Sequence, residues 1–429
     1  MNRLKQLFLK YFKGSDYRKN VITMVSGRIV AQVIPILITP LLTRIYSPEE
    51  FGIFAVYNSI VTIVSMMSNG RYCLAVILPK KDKNAHDLIF LSSVLSIFSS
   101  TVFYLFLLFL GNKLFGLLDS SVLEKYSFLI FSNILFIALH EAFFYEGLRN
   151  RKYKILAWDV ISYALVMVAS RLSLGYLGYT ESGLLMSYSI AYTFSFIFLF
   201  VALRGRKIFV SADLQNVLKL AKKYIKFPKF SLFADSLNMT AQMAPNILLN
   251  ALFGSISAGY FSMSDKVLGS PIWLVTMGVG DVFKQEASQQ IREKGSCTDV
   301  FMKTARSMFI LGIVPFSLLF VTAPVIVPYI FGSNWEPVGQ YIQIFALMYF
   351  AKFVITPVTY IVYIISKQNY NILFQGLKFV SMIIAFGVGF YRDNLALGLI
   401  LWSLLTTLSY IIMFVISYKL SISEKLFEE

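Results

Sequence analysis

The sequence predicts an all-α integral membrane protein of about twelve transmembrane helices, arranged as two six-helix bundles related by a parallel repeat. Three observations carry that expectation. The chain of 429 residues is 57% hydrophobic and only 14% charged, an apolar surplus that one soluble core could not bury. Its apolar runs recur near the roughly 20 residues a helix needs to cross about 30 Å of hydrocarbon. The basic residues fall in alternate connections between those runs, as the positive-inside bias requires. The weak alternating pattern of an outer-membrane barrel is absent.

In chain order the spans fall near 21–42, 52–78, 87–110, 126–147, 155–177, 182–203, 230–253, 258–283, 306–331, 338–365, 370–390 and 394–418. The first, from Val21 to Arg44, follows a basic tail over 1–20 and is too long for a signal-peptide core. It holds Arg28 and lacks a small-residue cleavage site, so it is expected to be retained. Pro35 and Pro40 interrupt it and, by removing backbone donors, mark where it can bend. Basic residues crowd the connections near 3–19, 80–83, 149–154, 204–229 and 284–306, with Lys367, Lys419 and Lys425 on the same side. The opposite connections hold only Arg44, Lys113, Lys125 and Arg392. Both termini are therefore expected in the cytoplasm, including the tail over 419–429.

The domains expected are an N-terminal bundle over 21–203, a cytoplasmic linker over 204–229 and a C-terminal bundle over 230–418. Within the linker, Leu214, Val217, Leu218, Ala221 and Ile225 share one helical face opposite lysines, the pattern of an interfacial helix. Its lysines are read first as topology and anchoring, and second as a hold for an anionic headgroup. The halves also echo each other. Ala31-Gln32-Val33-Ile34-Pro35 recurs as Ala241-Gln242-Met243-Ala244-Pro245. Each copy is followed by a short outer loop and then Gly52-Ile53-Phe54 or Gly259-Tyr260-Phe261. Both copies lie in outward-running spans, so the repeat is parallel, about an axis along the membrane normal.

Basic residues also lie inside spans, where each costs about 2.5–3.5 kcal/mol on insertion scales unless it faces protein or water. Arg28, Arg71, Lys266, Lys352 and Lys378 are the candidate substrate-binding residues. Facing a cleft between the halves, they would attract phosphate or pyrophosphate, arginine by bidentate hydrogen bonds and lysine as a point charge. The competing reading is that each cation pairs with an internal acid or snorkels. Lys266 adjoins Asp265, and Arg71 lies close to the inner surface. Arg171, in the outer part of span five, is expected to be structural. The internal acids Glu141, Asp159, Asp235 and Asp265 are candidates for ion coupling, against a plainer role in pairing. His140 can titrate near neutral pH, although a lone histidine is more often a satisfied core residue.

Other chemistry is not supplied. No G-x-x-x-x-G-K-[ST] run cradles nucleotide phosphates, and no Cys/His cluster has metal-ligand spacing. Two histidines leave little for acid–base catalysis, so neither an enzyme nor a cofactor is expected. The net charge of +16 sits largely in short loops and calls for a bilayer rather than nucleic acid. Cys73 in an apolar run and Cys297 in a basic loop make no disulfide framework.

The run from Ser26 to Ala85 resembles the N-terminal signature of bacterial polysaccharide-biosynthesis membrane proteins. These are the O-antigen and capsule oligosaccharide flippases of the multidrug/oligosaccharidyl-lipid/polysaccharide exporter superfamily. Leu42-Thr43-Arg44-Ile45-Tyr46-Ser47-Pro48-Glu49-Glu50-Phe51-Gly52 carries most of the likeness, with Ala75-Val76-Ile77-Leu78-Pro79-Lys80. The resemblance implies a fold like that of MATE transporters and lipid flippases, with two V-shaped bundles. It implies an undecaprenyl-pyrophosphate-linked oligosaccharide as substrate, turned from the inner to the outer leaflet of the bacterial cytoplasmic membrane by alternating access. A polysaccharide polymerase and a chain-length regulator are the partner proteins such a role calls for. Cavity-facing cations on spans one, two and eight of such flippases correspond by helix and residue type to Arg28, Arg71 and Lys266. The alternatives are a multidrug cation antiporter of the same superfamily, which wants an acid-dominated cavity, or a membrane polymerase or acyltransferase. A polymerase would show a long outer loop with catalytic arginines, and an acyltransferase an essential membrane histidine.

Overall fold

A computed structural model describes residues 16–422 except residue 211. Arg3, Lys5, Lys10, Lys13 and Lys425 of the expected tails lie outside the described residues. Every regular element described is helical. The long helices are α1 (Asp16–Ile45), α2 (Pro48–Ser68), α3 (Asp82–Leu117), α4 (Ser127–Arg149), α5 (Tyr153–Tyr176) and α6 (Thr180–Ala202). Two short helices, α7 (Gly205–Val210) and α8 (Leu214–Lys223), lead to α9 (Leu232–Phe253), α10 (Ser255–Lys294), α11 (Thr298–Phe331) and α12 (Glu336–Ile355). A single turn, α13 (Ile361–Ile364), precedes α14 (Asn369–Tyr391) and α15 (Leu395–Ile422).

Among the described residues, ten of these helices are long and apolar enough to cross a membrane. The protein is a multi-pass membrane protein. Helices α9 and α10, expected spans seven and eight, have the length but are less apolar. Asp235, Ser236, Asn238, Thr240, Gln242, Asn246 and Asn250 punctuate α9.

The chain divides into two compact units. One comprises residues up to Tyr46 with Val56–Met243; the other comprises Ser47–Ala55 with Ala244–Glu429. Helices α7 and α8 both belong to the first of these units. Val217 and Leu220 of α8 are buried, Leu220 within the core of the first unit beside Leu88, Ile89 and Phe143. Leu214 and Leu218 are exposed, so the first unit covers only part of the apolar side of α8. Asp213 caps α8 by accepting from the N–H groups of Gln215 and Asn216, at 3.1 and 3.4 Å. The Asn216 N–H, with Lys83 nearby, holds the Asp213 carboxyl below the usual carboxylate range.

In the first unit α1 runs unbroken through Pro35 and Pro40. The hydroxyls of Thr39 and Thr43 donate back to the carbonyls of those prolines at 2.6 and 2.9 Å, an arrangement that favours bending. Small residues let the helices close up. Gly27 of α1 meets Ala157 of α5, and Gly175 of α5 meets Ile45 and Tyr46. Along α3, Ser92, Ser93, Ser96 and Ser100 are fully buried. Ser93, Ser96 and Ser100 donate to carbonyls four residues back, so this small-residue stripe leaves few open polar groups.

In the second unit Trp402 of α15 is the hub, its ring 5.1 to 5.3 Å from those of Phe261, Phe345 and Phe386. The first turn of α2 belongs to this unit. Ser47 and Glu50 form a reciprocal capping box, Glu50 Oε2 accepting from the Ser47 N–H at 2.7 Å and Ser47 Oγ from the Glu50 N–H at 3.3 Å. Pro48 sits at the first helical position, where a missing N–H costs nothing. One turn on, Gly52 lies against Gly259 of α10. A methyl built on Gly52 would stand 1.7 Å from the Ser255 carbonyl oxygen, and one on Gly259 would stand 1.9 Å from that of Pro48. Each glycine thus faces the carbonyl four residues before the other.

Candidate functional site

Span two was expected to continue to residue 78, but α2 stops at Ser68. Gly70 and Arg71 both take positive φ, 59° and 57°. A short 3-10 turn over Tyr72–Ile77 follows. The Asn69-Gly70 pair is a turn signal that could have located this break. Asn69, fully buried, organises it: Oδ1 accepts from the Arg71 N–H at 2.8 Å and Nδ2 donates to Glu141 Oε2 at 2.7 Å. That bond helps hold Arg71 in the left-handed region, uncommon for a residue with a Cβ.

From this turn the Arg71 guanidinium reaches two carboxylates. Its Nη1 donates to Glu141 of α4 at 2.9 Å, while Nε and Nη2 donate to one oxygen of Asp235 of α9 at 2.8 and 2.5 Å. The Arg71 side chain is 13% exposed. Two of the acids singled out for ion coupling therefore offset a cation singled out for substrate, and the cluster carries one negative charge more than positive. Asp159 of α5, fully buried, sits elsewhere in the unit. Its Oδ2 lies 2.8 Å from His140 Nε2 and its Oδ1 accepts from Ser195 Oγ at 2.5 Å. Arg171 is buried, its Nε donating to Ser187 at 3.3 Å while its carbonyl accepts from the Tyr46 hydroxyl at 2.7 Å. Arg28 is exposed and makes no ion pair among the described residues.

The second unit is electrically different. Asp265 of α10 accepts from the Tyr349 hydroxyl. The Lys352 ammonium lies 5.1 Å from the Tyr349 ring centre, and that of Lys378 lies 4.7 and 5.9 Å from those of Phe374 and Tyr410. These distances permit cation–π attraction. Lys352 and Lys378 are partly buried and near enough to repel one another, and neither forms an ion pair with a carboxylate among the described residues. Lys266 of α10 is half-buried beside the exposed Asp265. Aromatic faces rather than acids cradle the lysine pair. The aromatic partners were not distinguishable in sequence from lipid-facing rings.

The comparisons with known proteins agree with this architecture. The family profile described as "Polysaccharide biosynthesis protein" matches residues 41–340. The succinoglycan biosynthesis transport protein ExoT of Rhizobium meliloti (strain 1021) is 24% identical over 343 residues, covering 78% of this chain. The chain spans 66% of that relative's length. Among solved structures, the lipid II flippase MurJ in an inward closed conformation superposes with a TM-score of 0.70 at 13% identity, over 93% of this chain and 87% of that one. An inward-facing multidrug resistance MATE family transporter of the MOP superfamily gives 0.63 at 12% identity, over 94% and 99%.

Proposed function

The chain belongs to the polysaccharide biosynthesis protein family, and we propose that it moves an undecaprenyl-pyrophosphate-linked oligosaccharide from the inner to the outer leaflet of a bacterial cytoplasmic membrane. The single observation that carries the reading is the Lys352–Lys378 pair, two membrane-embedded ammonium groups held on aromatic rings with no ion-paired carboxylate among the described residues. A cation costs free energy in that setting unless a counter-ion visits it. A pyrophosphate is such a counter-ion, and two lysines can share its charge. The glycan and pyrophosphate cannot cross the hydrocarbon alone, while the polyprenyl chain stays in lipid. Alternating access then needs the polar headgroup to be sheltered and the tail left outside. Lys266 and the exposed Arg28 are the further cations in the proposal. Arg71 holds Glu141 and Asp235 instead of meeting cargo directly.

A cation exporter is disfavoured by the same lysines, and a polymerase by the short outer loops. The relatives' names support transport over catalysis: one is a transport protein, and the fold is shared with a flippase and a drug transporter. The test is leaflet-resolved detection of lipid-linked oligosaccharide in cells that carry a deletion, complemented by the intact gene or by a Lys352→Gln/Lys378→Gln gene. Cargo should accumulate on the cytoplasmic face in the deletion and in the variant, with normal amounts of variant protein in the membrane. Full surface glycan in the variant would remove the lysine pair from the mechanism. Cargo reaching the outer face in the deletion would remove the flippase reading itself.

A further inference from the structure

We propose that His140 and Asp159 form a proton-binding site within the first unit, and that its protonation drives the transport cycle. The second half of the proposal rests on the transport reading above; the first does not. The carboxylate of Asp159 is buried, yet among the described residues its cationic partner is neither lysine nor arginine. Its partners are the imidazole and the Ser195 hydroxyl. An ionised carboxylate only accepts, so Nε2 carries the hydrogen directed at Oδ2 and Nδ1 holds the free lone pair. An incoming proton adds at Nδ1, and no other bond forms or breaks. The pair then changes from one net negative charge to a neutral imidazolium–carboxylate pair. In a low-dielectric bundle that change decides whether the site tolerates dehydration.

The imidazole gives the proton a route. The His140 side chain keeps 16% exposure while that of Asp159 keeps 1%, so the ring is the side that meets water. Other titratable groups are few. Tyr192 of α6 lies between Tyr163 of α5, at a tilt, and Tyr188 of α6, edge-on, with its ring 6.1 Å from that of His140. Next to His140 on α4 stands Glu141, which brings Arg71 and Asp235 with it. Tyr145 lies one turn on, beside that cluster. His86 of α3 faces Glu146 instead, at 3.5 Å. On the α1 side of α5, Arg28 and Lys154 are exposed and unbonded to Asp159. A sodium ion is the poorer occupant. It prefers several oxygen ligands, whereas Asp159 already spends both oxygens and its neighbour offers nitrogen. No group of three or more acidic, histidine or cysteine side chains among the described residues could hold a metal.

The chain has two histidines, so His86→Gln leaves one imidazole to follow. In that variant, purified as the full chain, ring 15N and 13C shifts of His140 should report a protonation step as the pH is varied. Asp159→Asn should move its midpoint. A ring that keeps one protonation state from about pH 4.5 to 9 overturns the site, as does a step unmoved by Asp159→Asn. In proteoliposomes holding lipid-linked oligosaccharide, one coupled proton shifts the cargo's steady-state distribution about tenfold per unit of ΔpH. His140→Gln should abolish that shift, while His86→Gln, at a histidine paired with Glu146 instead, should keep it. An equal ΔpH response in His140→Gln, or a response to a sodium gradient in place of ΔpH, overturns the coupling. If the intact chain moves no lipid-linked sugar, the transport reading and the coupling fall together, and the ring titration still decides the proton site.

Discussion

The crossing of Gly52 and Gly259 gives the sharpest mechanical prediction. Substituting alanine at Gly259 puts a methyl 1.9 Å from the Pro48 carbonyl oxygen and 3.1 Å from the Gly52 nitrogen. Comfortable carbon–oxygen separation begins near 3.3 Å, so the two backbones must part by roughly 1.4 Å. Neither neighbour is the end of a flexible side chain. Overpacking of this kind typically costs about 1–3 kcal/mol and sometimes more, and a backbone obstacle belongs at the upper end. The better helix propensity of alanine returns about 0.8–1 kcal/mol, leaving a net loss of about 2 kcal/mol. For a unit of this size that corresponds to a fall in Tm of roughly 4–8 °C. The assay is thermal unfolding of the detergent-purified protein followed by tryptophan emission. Trp335 is fully buried with its ring 5.0 Å from Phe51 and 6.4 Å from Tyr260, beside the crossing. Gly278→Ala, on the same α10 with nothing within 4 Å of the added methyl, is the control and should leave Tm unchanged or raised. Gly52→Ala should behave as Gly259→Ala does. A Gly259→Ala protein that melts with the control and keeps the parent emission spectrum would refute the reciprocal crossing.

Two further perturbations follow from the ion pairs and the thiols. Arg71→Ala strands Glu141 and Asp235; a fully buried pair broken this way costs about 3–5 kcal/mol, and partial exposure brings the expected loss to roughly 2 kcal/mol. Adding Glu141→Gln and Asp235→Asn should recover more than half of the lost Tm, and no recovery would show that Arg71 acts through something other than these acids. Burial pushes the Cys297 thiol up to about 11. At pH 7 its thiolate fraction is therefore on the order of 10⁻⁴, and maleimide labelling in folded protein should be slower than for a free thiol by about two orders of magnitude. The rate should climb with pH up to that value; rapid labelling at pH 7 would show that the thiol is not buried as described.

How much of this was readable in one dimension depends on the range of the interaction. The apolar runs, the alternating basic loops and the basic stretch near mid-chain are local or additive properties, and they determined an all-helical multi-pass protein directly. The motif Tyr46-Ser47-Pro48-Glu49-Glu50-Phe51-Gly52 also spoke locally: Ser47 and Glu50 are a capping box, and Pro48 starts a helix wherever it occurs at that position. The end of α2 was legible too, in Asn69-Gly70, although the surrounding hydrophobicity masked it.

What only the tertiary structure decided is which charges meet. Arg71, Glu141 and Asp235 come from a turn, α4 and α9, far apart along the chain. Sequence could set cations and acids at similar depths, but pairing depends on helix rotation to within one side chain's reach. The seating of α8 is also a tertiary matter: Val217 and Leu220 are buried, while Leu214 and Leu218 stay exposed. Gly52 stood in an echo of Gly259, but only the folded chain brings each against the other's backbone, because a close approach belongs to two segments and to neither sequence alone.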